Sequence, residues 1–174
     1  MHKTKRGITL LELMVVLAVA GILVTVGVPA MADFVAENRV AAKTNLMMSH
    51  IQYARHSAVT RRANVVACPS QDRLACSGDN RWDRGWIIFI DRDNDRQPDS
   101  PEHILRVVEP EDRLLLHSAG RNRVRFQPMG GAFGTNLTIR VCDIRGQAEA
   151  RAIVVSNPGR VRVRRSVDQA ECEV

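Results

Sequence analysis

The feature that most constrains this chain is an almost unbroken apolar stretch near its N-terminus, residues 7–29. About twenty apolar residues are enough to span a bilayer as a helix. A short basic leader precedes the stretch, and Gly7 stands at the junction. A single carboxylate, Glu12, lies inside it, where an unpaired charge is strongly unfavourable. Pro29 closes the stretch and predicts a break or a kink in the helix.

Two ordinary targeting segments compete as explanations of this stretch. A cleaved secretory signal has an apolar region of only about 7–15 residues and a small-residue cleavage site. Ala30-Met31-Ala32 fits such a site, but the apolar stretch is too long and Glu12 is misplaced. A plain membrane anchor explains the length, but it explains neither Gly7 nor Glu12. The two residues together therefore indicate a more specialised N-terminus.

Residues 7–14, Gly-Ile-Thr-Leu-Leu-Glu-Leu-Met, resemble the class III signal sequence of type IV pilins and pseudopilins. The resemblance implies that prepilin peptidase cuts after Gly7 and methylates the new N-terminus at Ile8. It also implies that Glu12 pairs with the N-terminal amine of a neighbouring pilin, which would satisfy a carboxylate in lipid. We therefore expect a single-pass protein of the inner membrane, with a periplasmic globular domain, that is incorporated with other major and minor pilins into a cell-surface pilus.

Charge and composition limit the kinds of binding partner and the number of domains that we expect. The net charge of +6 falls to +3 once the three basic residues of the leader are removed, so overall charge does not by itself indicate a polyanion partner. Aromatic residues make up only 4% of the chain, which argues against recognition of single-stranded nucleic acid by stacking. At 174 residues, the chain allows one domain of ordinary size besides the anchor.

Four cysteines suit an oxidising compartment, and they allow three pairings. We favour Cys68 with Cys76, which encloses a short turn-rich loop, and Cys142 with Cys172, which would tie the C-terminal tail to a strand. A zinc site is the alternative, but these spacings lack the close cysteine pairs of structural zinc. The cysteines therefore predict two disulfides and no metal centre.

The hydrophobic pattern predicts an α+β fold. Apolar or small residues follow helical spacing as far as about Arg62. They form one stripe: Val40, Thr44, Met47, Ile51, Ala54 and Ala58. Eight short β-rich runs separated by turn residues follow, at 64–68, 86–90, 104–109, 113–117, 123–127, 137–142, 152–156 and 160–164. We predict a leader (1–7), a long pilin-type helix with membrane and soluble halves (8–62), and a globular domain (63–174) in which an antiparallel β-sheet or sandwich packs on the helix.

Three further segments narrow the resemblance to minor pseudopilins of the GspH/FimT type. They are Cys68-Pro69-Ser70, the Trp82 to Asp91 segment with its two tryptophans, and Gly159-Arg160-Val161-Arg162. In the family that these segments resemble, FimT-type members belong to type IV pilus systems, and some bind DNA during natural transformation through a C-terminal Gly-Arg-x-Arg motif. GspH-type members serve the type II secretion pseudopilus instead. The motif favours the FimT type, and the alternative is a structural minor pseudopilin that primes or caps a filament without binding DNA.

The residues around this motif predict a basic hairpin. Pro158 and Gly159 suit the two central positions of a turn. In the strand that follows, a period of two places Arg160, Arg162 and Arg164 on one face and the intervening valines on the other, with Arg165 beside them. Arginine rows bind phosphates without reading base sequence, so we predict non-specific binding of double-stranded DNA. The alternative is an edge strand that charge protects from aggregation.

A second alternating basic run either extends this surface or merely faces solvent. Its members are Arg121, Arg123 and Arg125.

An acidic turn matches part of a calcium-loop pattern. Asp91, Asp93, Asp95 and Glu102 have the ligand spacing, but Arg96 stands where that loop requires glycine. A hairpin loop with solvated or arginine-paired acids is the alternative, and we favour it. Because no catalytic constellation is present in the sequence, we predict that the protein is not an enzyme and needs no cofactor.

Overall fold

The computed structural model describes residues 7 and 9–172, in which one long helix precedes eight strands. Helix α1 spans Leu10–Arg61. The strands are β1 Asn64–Pro69, β2 Trp86–Asp91, β3 Ile104–Val108, β4 Leu114–Ser118, β5 Val124–Phe126, β6 Leu137–Asp143, β7 Ala150–Val155 and β8 Val161–Val167. Short 3-10 helices lie at Trp82–Arg84, Pro101–His103 and Gln169–Cys172. Every predicted strand is present, with bounds that differ by at most three residues.

The chain divides into two compact units, Met1–Val35 and Ala36–Val174. The described part of the first unit is the beginning of α1, and its side chains are all exposed. By length and composition, α1 is able to cross a membrane. The helix continues through Pro29, so the break predicted there is wrong. Apolar membrane helices tolerate proline because neighbouring groups can satisfy the freed backbone carbonyl.

In the second unit, the rest of α1 buries one face. All six residues of the predicted stripe are buried, and each is fully inaccessible to solvent. The hydroxyl of Thr44, the polar member of the stripe, donates to the Val40 carbonyl at 2.7 Å, so its burial leaves no orphaned donor. Small side chains at Ala54 and Ala58 allow close approach of the strands. The periodic stripe is therefore the helix's contribution to the core.

The strands form two antiparallel four-stranded sheets. Their orders are β3-β2-β1-β5 and β4-β6-β7-β8, so β8 is an edge strand. Inward-facing residues of both sheets, such as Val65 and Ile139, share one core with the α1 stripe and with Trp82 and Trp86. This arrangement of one helix on antiparallel sheets confirms the predicted α+β class.

Both predicted disulfides are present, Cys68–Cys76 and Cys142–Cys172. The second joins the C-terminal 3-10 helix to β6. It belongs to a small buried cluster with Ala152 and Val167, on the face of the second sheet that points away from the main core. The disulfide therefore holds the C-terminal segment over one end of this outer face, beside the basic strand β8.

Candidate nucleic-acid interface

The hairpin between β7 and β8 has a three-residue loop. The Ser156 carbonyl accepts from the Gly159 N–H at 2.8 Å, and the Ser156 N–H donates to the Arg160 carbonyl at 3.1 Å. Asn157 and Pro158 are therefore the central residues of the turn, one position earlier than predicted. Gly159 follows them with φ of +79°, in the left-handed position that such loops place before the returning strand. The prediction that Gly159 needs positive φ is confirmed, and the predicted central pair is wrong.

A second constraint on Gly159 comes from the neighbouring turn. A Cβ atom on Gly159 would overlap the carbonyl oxygen of Gly130 and approach the Arg55 Nε to 3.2 Å. Arg55 itself donates from Nε to that carbonyl at 3.0 Å. The Ala132 N–H donates to the Asn157 carbonyl at 2.8 Å, which ties the loop to the same turn. These interactions fix the position of the hairpin, and no local sequence pattern predicts them because Gly130 is distant in the chain.

The predicted alternation is confirmed within β8, from Val161 to Arg164, whereas Arg160 precedes the strand. Val161 and Val163 pair with Val155 and Ile153, whose side chains belong to the main core. The arginines at 160, 162, 164 and 165 are all exposed. Because directly paired residues in antiparallel strands share a face, the valines point inward, and Arg162 and Arg164, which pair with Val154 and Ala152, point to the outer face.

Arg164 is paired with an acid that no local sequence pattern indicates. Its Nη2 lies 2.9 Å from the Glu171 carboxylate. Arg140, on β6, contacts the same carboxylate at 2.8 Å. The hydrogen bond from Arg140, followed by that from Arg164, lowers the pKa of Glu171, which favours the ionised carboxylate. The predicted row therefore offers two exposed arginines that no carboxylate contacts among the described residues, Arg160 and Arg162.

A groove lies beside this edge on the outer face of the second sheet. It has a volume of about 600 Å³, and Arg121 and Arg140 line it together with the turn residues Asn157 and Pro158. Val154, which also lines it, pairs directly with Arg162 and so places that arginine on the same face. Arg140 is paired with Glu171, so Arg121 is the groove arginine that adds positive charge next to the hairpin. Arg140 was not among the predicted site residues, because nothing local in the sequence marks it out.

The second basic run does not form one strand. Strand β5 begins only at Val124, so Arg121 and Arg123 precede it and Arg125 alone belongs to it. Arg121 nevertheless reaches the groove beside the hairpin. All three arginines also line a separate small pocket.

The acidic turn brings together three of its four candidate ligands. Carboxylate oxygens of Asp91, Asp93 and Asp95 lie within 4.8 Å of one another, and Glu102 is not part of this group. Burial raises the pKa of Asp91. Arg96, at the position where a calcium loop has glycine, adopts φ of +70°. Because the group lacks the fourth predicted ligand, we do not propose a calcium site at this turn.

At the N-terminus, Gly7 and Glu12 are exposed, and Ile8 lies outside the described residues. The backbone N–H of Glu12 donates to the Thr9 hydroxyl at 3.2 Å. A side-chain oxygen before the first turn is a common way to satisfy a free helix donor. The Glu12 carboxylate is therefore carried on an ordered first turn of the helix.

Comparison with known proteins identifies both parts of the chain. The family model described as type II transport protein GspH matches residues 43–159, and the prokaryotic N-terminal methylation motif matches residues 2–28. No curated protein sequence matches the chain.

Two crystal structures of the Pseudomonas aeruginosa type IV minor pilin FimU share its fold. The first is 19% identical and covers 73% of this chain and 89% of its own, with a TM-score of 0.56. The second is also 19% identical and covers 71% and 91%, with a TM-score of 0.54. The GspH model spans more than half of the chain, and the chain therefore belongs to the GspH family of pilin-like proteins that carry the N-terminal methylation motif.

Proposed function

We propose that this chain is a minor type IV pilin of the FimT type that binds double-stranded DNA during uptake in natural transformation. The observation that carries the proposal is the pair of exposed arginines, Arg160 and Arg162, on a hairpin whose loop is fixed against the turn at Gly130. Because the hairpin is already fixed in place, binding costs it less conformational entropy than it would cost a flexible basic tail. Arg165 and the groove arginine Arg121 extend the positive surface.

The chemistry of this surface fits phosphates better than bases. Guanidinium groups pair with phosphate oxygens through two parallel hydrogen bonds. An arginine can read a guanine edge in the major groove, but a row of arginines offers donors only and no acceptors for the amino groups of adenine and cytosine. Binding through such arginines is indifferent to sequence and weakens with salt, with a log–log slope of about −0.9 per phosphate neutralised.

The N-terminal motif indicates the other partners that we propose for this chain: prepilin peptidase, the inner membrane and other pilins. Prepilin peptidase would cut after Gly7, and the mature chain would stay in the inner membrane as a single span until other pilins recruit it into the filament. The globular unit would then face the periplasm. Both disulfides agree with an oxidising compartment.

The test measures DNA binding by the full chain in zwitterionic detergent micelles, over a series of salt concentrations. Arg160→Gln with Arg162→Gln should weaken binding and flatten the salt slope by about two units, close to one for each arginine that no longer neutralises a phosphate. The matched control is Arg113→Gln with Arg145→Gln, which removes the same charge from exposed positions away from the hairpin. This control should leave the slope nearly unchanged.

A competing function follows from the matching family model, which describes a type II transport protein. In that case the chain is a structural minor pseudopilin that primes or caps a pilus or a secretion pseudopilus. Absence of DNA binding at low salt, or equal weakening in the two double variants, would favour this role. Transformation frequency in a strain that carries the Arg160/Arg162 variant is the companion measurement, because repeated weak sites on a filament act together.

A further inference from the structure

A small pocket between the acidic loop and strand β5 is lined by four arginines. Its volume is about 250 Å³. The arginines are Arg96, Arg121, Arg123 and Arg125, and the rest of the lining is Gly120, Asn122, Gly134 and Thr135. No carboxylate is among these lining residues. Four cations around one cavity repel one another unless an anion or solvent screens them.

Arg125 has an unused donor at this position. Its Nε is buried and has no hydrogen-bond partner among the described residues. The backbone N–H and carbonyl of Arg125 both bond to the Thr135 hydroxyl at 3.0 Å, so the residue is held firmly in β5. A buried donor without an acceptor is unfavourable, and the guanidinium of Arg125, which lines the pocket, would have to turn to present that donor to a bound anion.

Arg123 is also held in place, and its charge is not neutralised by a direct ion pair within the described part of the chain. Its Nε donates to the Asn122 side-chain oxygen at 3.1 Å, and its Nη1 donates to the Arg96 carbonyl at 3.3 Å. Burial and then the positive charge of Arg96 lower the pKa of Arg123, and these effects outweigh the opposing effect of Asp91. The environment therefore disfavours the positive charge on Arg123, and a bound anion would relieve that penalty.

We propose that this arginine pocket binds a single phosphate group. Several guanidinium groups around a small cavity suit a tetrahedral oxyanion, which can accept hydrogen bonds from each of them. The lining residues include no aromatic side chain on which a base could stack. The phosphate would be either a phosphodiester of a nucleic acid strand or a free phosphate or phosphate monoester. The proposal stands without the DNA-binding role of the hairpin.

Arg121 links the pocket to the hairpin surface, because it also lines the groove beside that hairpin. A duplex seated on Arg160 and Arg162 could therefore place a second phosphate in the pocket. Binding measurements with the two kinds of phosphate can separate these sources.

The test is a titration of the full chain in detergent micelles with inorganic phosphate, by isothermal calorimetry at constant ionic strength. Saturable binding is expected. Arg125→Gln should reduce the affinity about tenfold or more, the usual effect of removing a charged hydrogen-bond donor. Arg125→Lys keeps the charge but removes the Nε donor, and it should also weaken binding. Arg113→Gln is the charge-matched control and should bind phosphate normally.

A parallel titration uses a short DNA duplex in phosphate-free buffer. If Arg125→Gln weakens both titrations, the pocket takes a phosphodiester of the duplex. If it weakens only the first, the pocket takes a free phosphate group. Absence of saturable phosphate binding by the unmodified chain, or equal weakening in Arg113→Gln, would overturn the proposal. If circular dichroism shows that Arg125→Gln does not fold, Arg125→Lys replaces it in the same two titrations, and unchanged phosphate binding by that variant would overturn the proposal.

Discussion

At the scale of single residues, Gly159 and Gly78 have the same backbone dihedral in different surroundings. Both have φ of +79°, but a Cβ on Gly78 would meet nothing within 4 Å. Gly78→Ala should therefore lower the free energy of unfolding by about 1–2 kcal/mol, the cost of a left-handed alanine. Gly159→Ala should lower it further, because the added Cβ overlaps the Gly130 carbonyl and forces the hairpin to move. Denaturant unfolding of the full chain, followed by the fluorescence of the buried tryptophans, measures both.

Equal decreases in stability for these two variants would contradict the close approach of Gly159 to Gly130. The same displacement should misplace Arg160, so Gly159→Ala should also weaken DNA binding if the hairpin binds phosphates. Gly78→Ala serves as the control for that measurement as well, since Gly78 lies just beyond the loop that Cys68 and Cys76 close and is not part of the hairpin.

Glu171 sets how much of the positive charge on the outer face is available. It contacts both Arg140 and Arg164, so Glu171→Gln should free two guanidinium groups beside the hairpin. We expect tighter DNA binding and a salt slope steeper by about one to two units. Glu102→Gln removes the same charge from an exposed site in the 3-10 helix Pro101–His103, before β3 of the first sheet, and is the matched control. Similar increases in affinity for both variants would mean that net charge alone, and not the release of these arginines, governs binding.

The residue-scale features differ in how far the sequence could predict them. The alternation of Arg162 and Arg164 with inward valines follows from the period of a strand, so it was predictable. The pairing of Arg164 with Glu171 was not, because a 3-10 helix and a disulfide bring that acid back over the strand. The role of Arg140 depends on the register between β6 and β7, which no local pattern states.

At the scale of elements, the C-terminal segment is fastened by a disulfide whose partners are 30 residues apart, whereas the other disulfide spans 8. Replacing Cys142 and Cys172 by serine should lower the free energy of unfolding by about 2–5 kcal/mol. Replacing Cys68 and Cys76 should lower it by about 1 kcal/mol less, because the shorter loop restricts the unfolded chain less. Denaturant unfolding of the two double variants, side by side, gives the comparison.

The disulfide variants also report on the outer face. Removing the Cys142–Cys172 bond should loosen the segment that carries Glu171, and so it should raise DNA affinity in the same direction as Glu171→Gln. Removing Cys68–Cys76 should not. A larger decrease in stability for the short loop, or DNA binding that is unchanged by either replacement, would contradict this view of the C-terminal segment.

Element types were more predictable than element boundaries. The stripe from Val40 to Ala58 has the period of a helix, and all of its members are buried. Pro29 predicted a break because proline removes a helix hydrogen bond, but an apolar helix tolerates that change and α1 continues. Strand β5 has only three residues, and the residues just before it, Arg121 to Arg123, line the arginine pocket.

At the scale of the whole molecule, the sequence predicted antiparallel β-structure on a helix but no strand order. Strand β5 pairs with β1, so that Phe126 lies opposite Val65 although three strands separate them in the sequence. Pairings of this kind are decided by how the complete core packs, and short-range periodicity carries no information about them. For the same reason, the arginine pocket and the groove could not be foreseen, since each gathers residues from separate loops.

Cleavage of the N-terminal leader determines whether the chain can enter a filament and present these surfaces there. Mass spectrometry of the chain from a host with prepilin peptidase should show a mature protein that begins at N-methylated Ile8, because Gly7 stands at the junction that the methylation motif covers. A mature protein that begins at Asp33 would instead indicate a secretory signal cut after Ala30-Met31-Ala32.

Glu12→Ala should leave cleavage intact but reduce incorporation into filaments, since it removes the carboxylate that would pair with a neighbouring amine. Normal incorporation of this variant in sheared filament preparations would contradict the pairing. Another exposed position of the same helix, Thr25→Ala, is the control for a general effect of substitution within α1.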